Sequence, residues 1–216
     1  MKSGAIFDMD GLLFDTEILY NNMWGKVAET HGLKLDGKML DEMRGTGREA
    51  MYKIINRYWP TVDAPKIREE LFEEARKELL KNVPIKQGVI EILEYLKNNG
   101  VRLAVASGSP LESVKNNLKV ARIDSYFDVV VSGEQVSFGK PAPDIFLLAA
   151  SKLGLGAEDC YVFEDAPNGV YAGVKAGCKT IMIPDMLSPT EDLYEIVVGI
   201  YPNLIEALEG IKRGEC

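Results

Sequence analysis

Apolar residues in this chain fall into short continuous runs separated by longer, helically spaced patterns. Residues 4–7 (GAIF), 101–106 (VRLAVA), 128–131 (DVVV), 160–163 (CYVF) and 180–183 (TIMI) are such runs. Continuous rather than alternating apolar character predicts strands buried on both faces, as in a parallel sheet. Val89, Ile92, Leu93 and Leu96 follow helical spacing, with Gly100 placed where a C-terminal cap belongs. Ser109-Pro110-Leu111-Glu112 has the form of a capping box with proline at the first helical position. Strands alternating with helices predict an α/β fold, a Rossmann-like parallel sheet covered by helices.

The alternation breaks once. Between the first and second strand runs lie about ninety residues without a convincing strand. Leu19, Met23 and Val27 recur every fourth residue before Gly32, residues 48–58 read as helix, and Leu71, Ala75 and Leu79 mark a stripe in a helix over 67–80. The pattern predicts a small α-helical domain over residues 15–84, inserted into a core formed by 1–14 and 85–216. Trp24 and Trp59 read as the core of that insert, and His31 as a helix C-terminal residue.

Composition narrows the chemistry. The chain has 216 residues, 33 acidic against 25 basic side chains, a net charge of −8, three cysteines and one histidine. A single histidine cannot build a multi-histidine zinc site, and any Ser-His-Asp relay would have to pass through His31. The acidic balance speaks against a nucleic-acid partner, which needs a basic footprint. Cys160, Cys178 and Cys216 form no CxxC pair, there is no signal-peptide core, and no apolar stretch is long enough to span a membrane. The expectation is a cytoplasmic protein whose reactive groups are carboxylates, with a monomer as the default because the chain shows no obvious apolar seam.

Those carboxylates are concentrated after the first strand, in Asp8-Met9-Asp10-Gly11-Leu12-Leu13-Phe14-Asp15-Thr16. Two aspartates at i, i+2 repel each other, and a loop ending in glycine can turn both toward one space. A bound cation would relieve the repulsion, and Mg²⁺ prefers oxygen ligands.

DMDGLLFDT resembles the first signature, DxDGxLxDT, of the haloacid dehalogenase-like phosphatase superfamily. Three further signatures follow in order: Ser107 at the end of VRLAVAS, Lys140 in GKPAPD, and Glu164-Asp165 between CYVF and APNGV. The resemblance covers nearly the whole chain and extends to the β-phosphoglucomutase-like members, whose insert is a helical, C1-type cap. It implies a Mg²⁺-dependent phosphatase of small phosphate monoesters, with phosphorylated sugars as the expected substrates. Asp8 would be the nucleophile and Asp10 the acid–base. Ser107, Gly108, Ser109 and Lys140 would hold the phosphate, and Asp8, Asp10 (through its carbonyl), Glu164 and Asp165 the metal. Asp10 favours phosphoryl transfer over dehalogenation, because the dehalogenases of the superfamily lack an aspartate two residues after the nucleophile.

The mutases of the β-phosphoglucomutase type are the alternative. They carry a histidine in the first cap helix, where this chain has Tyr20. The cap candidates for substrate contact are Tyr20 and the arginines of Arg44-Gly45-Thr46-Gly47-Arg48, whose glycines permit close backbone approach. A non-catalytic binding module of the same fold is a further alternative.

Overall fold

The computed structural model describes residues 1–216 except Arg44, Gly45, Gly47 and Met186, and of Thr16 and Glu17 the backbone alone. The described chain runs β1 (Gly4–Phe7), α1 (Thr16–Thr30), α2 (Gly37–Met43), α3 (Arg48–Tyr58), α4 (Ala64–Leu79), α5 (Val89–Asn98), β2 (Arg102–Ser107), α6 (Leu111–Val120) and β3 (Val129–Ser132). It continues with α7 (Asp144–Leu153), β4 (Cys160–Glu164), α8 (Pro167–Lys175), β5 (Lys179–Met182), α9 (Glu191–Ile196), β6 (Gly199–Ile200) and α10 (Leu204–Arg213). Two compact units result, Met1–Asp15 with Pro84–Cys216, and Thr16–Val83.

The first unit is built on a six-stranded sheet in the order β3-β2-β1-β4-β5-β6, with every pairing parallel. The chain proceeds outward from β1 to β3, then returns to β4 on the other side of β1. Ligands in open parallel sheets bind outside the carboxyl ends of the strands at such a reversal. Register sets what stands there: Phe7 lies level with Phe163 and with Val105, so the residues that follow the three strands emerge side by side.

Successive strand residues face opposite sides of the sheet. Ile6, Ala104, Val131 and Val162 pack with Ile145, Phe146, Ala149 and Leu153 of α7. Phe7 and Phe163 instead stack on each other, their rings 4.5 Å apart and nearly parallel. Helix α8 covers β4 and β5, and α10 packs on α5. The expected capping box before α6 does not form. Helix α6 begins at Leu111, whose N–H is taken by Glu134 Oε2 at 3.0 Å, and the Ser109 hydroxyl is engaged elsewhere.

The second unit is helical throughout its regular elements. Leu19, Met23, Trp24 and Val27 of α1 pack with Ile54 and Ile55 of α3, Ile67, Leu71 and Ala75 of α4, and Trp59. Trp24 and Trp59 meet edge to face at 5.8 Å, and the Trp59 indole donates to the Lys34 carbonyl at 3.0 Å. Asp63 starts α4 by accepting from the Lys66 N–H, with Pro65 in the first turn. His31 follows α1 and its Nε2 lies 2.6 Å from Glu70 Oε2. No helix among the described residues is long and apolar enough to cross a membrane.

Candidate active site

The carboxyl ends of β1, β2 and β4 open into a cleft of about 260 Å³. Asp8, Asp10, Ser107, Gly108, Ser109, Lys140, Glu164 and Asp165 all line it. The residues named from sequence for catalysis, phosphate and metal binding are thus brought together within the first unit.

Asp8 follows β1 directly and its backbone N–H donates to the Phe163 carbonyl at 3.0 Å, which locks it against the end of β4. The loop then folds back: Gly11 N–H donates to the Phe14 carbonyl, and Leu13 and Phe14 N–H both donate to the Met9 carbonyl. Gly11 has φ +87°, and a Cβ there would collide with the Asp165 carboxylate, so the sequence needs glycine at this point on both counts. The turn that it permits puts Asp10 on the same side as Asp8.

Lys140 is the hub of the charge network. Its ammonium donates to Asp8 Oδ1, to Glu164 Oε1 at 2.6 Å and to the Ala106 carbonyl at 3.2 Å. It also sits 4.9 Å from the centre of the Phe146 ring. Glu164 is 1% exposed, and its other oxygen accepts from the N–H groups of Asp165 and Ala166 at 3.0 and 3.2 Å. Gly169 makes room for that carboxylate, since a Cβ on it would overlap Glu164. Ser109 donates its hydroxyl to Asp10 Oδ2 at 2.9 Å, while its N–H donates to Ser107 Oγ at 3.1 Å.

Four carboxylates face one ammonium across this cleft. Burial pushes Asp8 up to about 7, with Lys140 pulling it down and Glu164 raising it. Burial likewise raises Asp165 to about 9, reinforced by the charges of Asp8 and Glu164. Asp10 is raised by burial against the opposing hydrogen bond from Ser109. Burial disfavours the charged form of Lys140, but Asp8 and Glu164 outweigh it and hold its pKa above the usual lysine range. Carboxylates raised by desolvation and mutual repulsion call for a further cation. Oxygen atoms of Asp8, Glu164 and Asp165 lie within 4.8 Å of one another, an all-oxygen donor set that fits a hard divalent ion.

The cap candidates belong to the helical unit. Tyr20 is half-buried on α1 with its ring 5.6 Å from that of Phe72, and Arg48 is exposed at the start of α3. Arg44, with Gly45 and Gly47 of the same loop, lies outside the described residues. Two groups escaped the sequence reading. Asn168 lines the cleft from the first turn of α8, and its place three residues past Asp165 was the available signal. Asp185, in the loop after β5, comes close to Gly11 beside Asp165, and no local pattern announces it.

An acidic, lysine-centred cleft stands at the topological reversal of a parallel α/β sheet, and comparison with known proteins names the family. Residues 5–183 match the haloacid dehalogenase-like hydrolase family, and the chain belongs to it. It is 36% identical over 181 residues to a phosphorylated carbohydrates phosphatase of Thermotoga maritima, covering 82% of each chain. It is 33% identical to a fructose-1-phosphate phosphatase of Escherichia coli, covering 83% of this chain and 95% of the other. A crystal structure from Thermotoga maritima, provisionally assigned as a β-phosphoglucomutase, superposes with a TM-score of 0.85 at 30% identity, covering 99% of both chains.

Proposed function

We propose that this chain is a Mg²⁺-dependent phosphatase of small phosphate monoesters, with phosphorylated sugars or polyols as its substrate class, working through an aspartyl-phosphate on Asp8. The observation that carries the reading is the convergence of Asp8, Asp10, Lys140 and Asp165 on one cleft. The phosphatase relatives described above support the substrate class.

Asp8, Asp165, Glu164 and the Asp10 carbonyl would hold the metal, which when bound supplies positive charge to the phosphoryl oxygens and keeps Asp8 ionised. A carboxylate oxygen of Asp8 attacks phosphorus as the bond to the leaving oxygen breaks. Asp10, whose raised pKa lets it carry a proton, delivers that proton to the leaving oxygen. It then takes a proton from the water that attacks the acyl phosphate, which regenerates Asp8 and releases inorganic phosphate. Ser109 aims the Asp10 carboxyl by its hydroxyl hydrogen bond. Lys140 offsets the charge that gathers on the equatorial oxygens, and Ser107 with the backbone N–H of Gly108 offers neutral donors beside it. The helical unit corresponds to the cap of the family and would select among leaving groups. Cytoplasmic location, supported by three unbridged cysteines, and a monomeric state complete the reading.

The test is release of phosphate from p-nitrophenyl phosphate and a panel of sugar and polyol phosphates, with Mg²⁺ and with a chelator. The reading predicts turnover in Mg²⁺ and loss of it on chelation; no turnover of any ester in Mg²⁺ overturns it. β-Glucose 1-phosphate belongs in the panel, because conversion to glucose 6-phosphate would make the chain a mutase despite Tyr20.

A further inference from the structure

The loop after β5 brings a carboxylate to the acidic cluster that the mechanism above does not use. A Cβ on Gly11 would lie 3.2 Å from Asp185 Oδ2 and would strike Asp165 Oδ2 as well, so the two carboxylates converge on one glycine from the ends of neighbouring strands. Asp185 is well sheltered, its side chain 11% exposed. Its charge also contributes to the upward shift of Asp165.

Asp185 has its own cation. The Lys86 ammonium is in direct ion pair with Asp185 Oδ1 and lies 3.8 Å from Asp15 Oδ1. These ion pairs hold the ammonium, and the backbone that bears it is tied down as well. Lys86 N–H donates to the Leu13 carbonyl at 3.0 Å, Asp15 N–H donates to the Pro84 carbonyl at 2.9 Å, and Phe14 bridges Ile85 between them. The segment that carries Asp8 and Asp10 is therefore zipped to the segment that carries Lys86. A charge anchored in this way acts on the cluster from a set position, unlike the swinging ammonium of a surface lysine.

We propose that Asp185 and Lys86 are opposed positioning residues of the metal-binding cluster. Asp185 extends it beyond Asp165 as an outer acceptor for the hydrated cation, and Lys86 sets how much of that added negative charge the cation feels. This rests on the reading that Asp8, Glu164 and Asp165 hold a divalent ion.

The experiment measures Mn²⁺ binding to the substrate-free protein, from the electron paramagnetic resonance signal of free Mn²⁺, in wild type, Asp185→Asn, Lys86→Met, the double variant and Lys86→Arg. One unit charge at this range predicts that Asp185→Asn weakens binding about fivefold and Lys86→Met tightens it about fivefold. The double variant and Lys86→Arg stay within about twofold of wild type on the same electrostatic account. Opposite signs are what a merely structural pair would not give, because loss of fold weakens both. Single variants that shift in the same direction, or do not shift, overturn the proposal, as does a Lys86→Arg that binds like Lys86→Met. Wild type that binds no Mn²⁺, or binds it unchanged in Asp165→Asn, overturns the metal-centre reading itself.

Discussion

The catalytic core and the helical unit both tie lysines to carboxylates, and they do so under opposite physical conditions. In the core, Lys140 is held between Asp8 and Glu164, with side-chain exposures of 15%, 10% and 2%. In the helical unit, Glu74 is held between Lys26 and Lys77, whose side chains are 54% and 62% exposed. The topology of the two triads is similar, one charge bridged by two of the other sign. Burial raises Asp8 to about 7 in the first, whereas hydrogen bonds from Lys26 and Lys77 lower Glu74 to about 2 in the second. An exposed triad is content with its own members and contributes little. A buried one with surplus carboxylates is poised to take up a cation and an anionic substrate together, which is the property a phosphoryl-transfer site needs.

Removing the nucleophile gives the largest contrast. Asp8→Asn keeps the shape and the hydrogen bond to Lys140, so folding by circular dichroism and melting temperature should be preserved while kcat falls by at least about 10⁴-fold. Lys140→Met comes next, because it strands Asp8 and Glu164 without their counter-charge. A loss of about 10²–10³-fold in kcat/KM is expected. Chemical denaturation should show about 3 kcal/mol less stability, the cost of leaving buried charges unpaired.

The pH dependence of stability carries the same contrast with opposite sign. In the metal-free protein, Asp8 and Asp165 have folded pKa values of about 7 and about 9 against an ordinary 3.8. The folded state then binds more protons than the unfolded one. Their contribution is complete below the ordinary carboxylate range and is lost as pH rises through those folded values. With a chelator present, the melting temperature should fall between about pH 5 and pH 9, and Mg²⁺ should restore more of it at the upper end, where the carboxylates are free to bind metal. A melting temperature that rises over that range would contradict the assignment of raised pKa values. Glu74 runs the other way, stabilising above its ordinary range and losing that effect only as pH falls toward about 2. It also supplies the smallest effect: Glu74→Gln should leave kcat/KM within about twofold and the melting curve almost unmoved, since exposed pairs are screened by solvent.

Most of the core and of the candidate site is legible in the sequence because buried parallel strands are continuous apolar runs and the polar residues that break them fall at their carboxyl ends. β1, β2 and β4 are legible in GAIF, VRLAVA and CYVF, and Asp8, Ser107 and Glu164 mark where each ends. What failed were features decided at long range. Ser109-Pro110-Leu111-Glu112 has the form of a cap, yet Asp10 takes the serine hydroxyl and Glu134 takes the Leu111 N–H. β6 is two residues long, and its existence depends on pairing with β5 rather than on any local pattern. Asp185 reads as an ordinary loop aspartate until β5 places it opposite Gly11 and beside Lys86.

In the proposed mechanism Asp8 carries the phosphoryl group during turnover. Acid quenching of the enzyme within milliseconds of mixing with a ³²P-labelled phosphate monoester and Mg²⁺ tests it directly. Protein-bound label is expected on the Asp8 peptide, released by hydroxylamine as an acyl phosphate is, and absent from Asp8→Asn. Turnover without label at any quench time, or label that persists in Asp8→Asn, would contradict it.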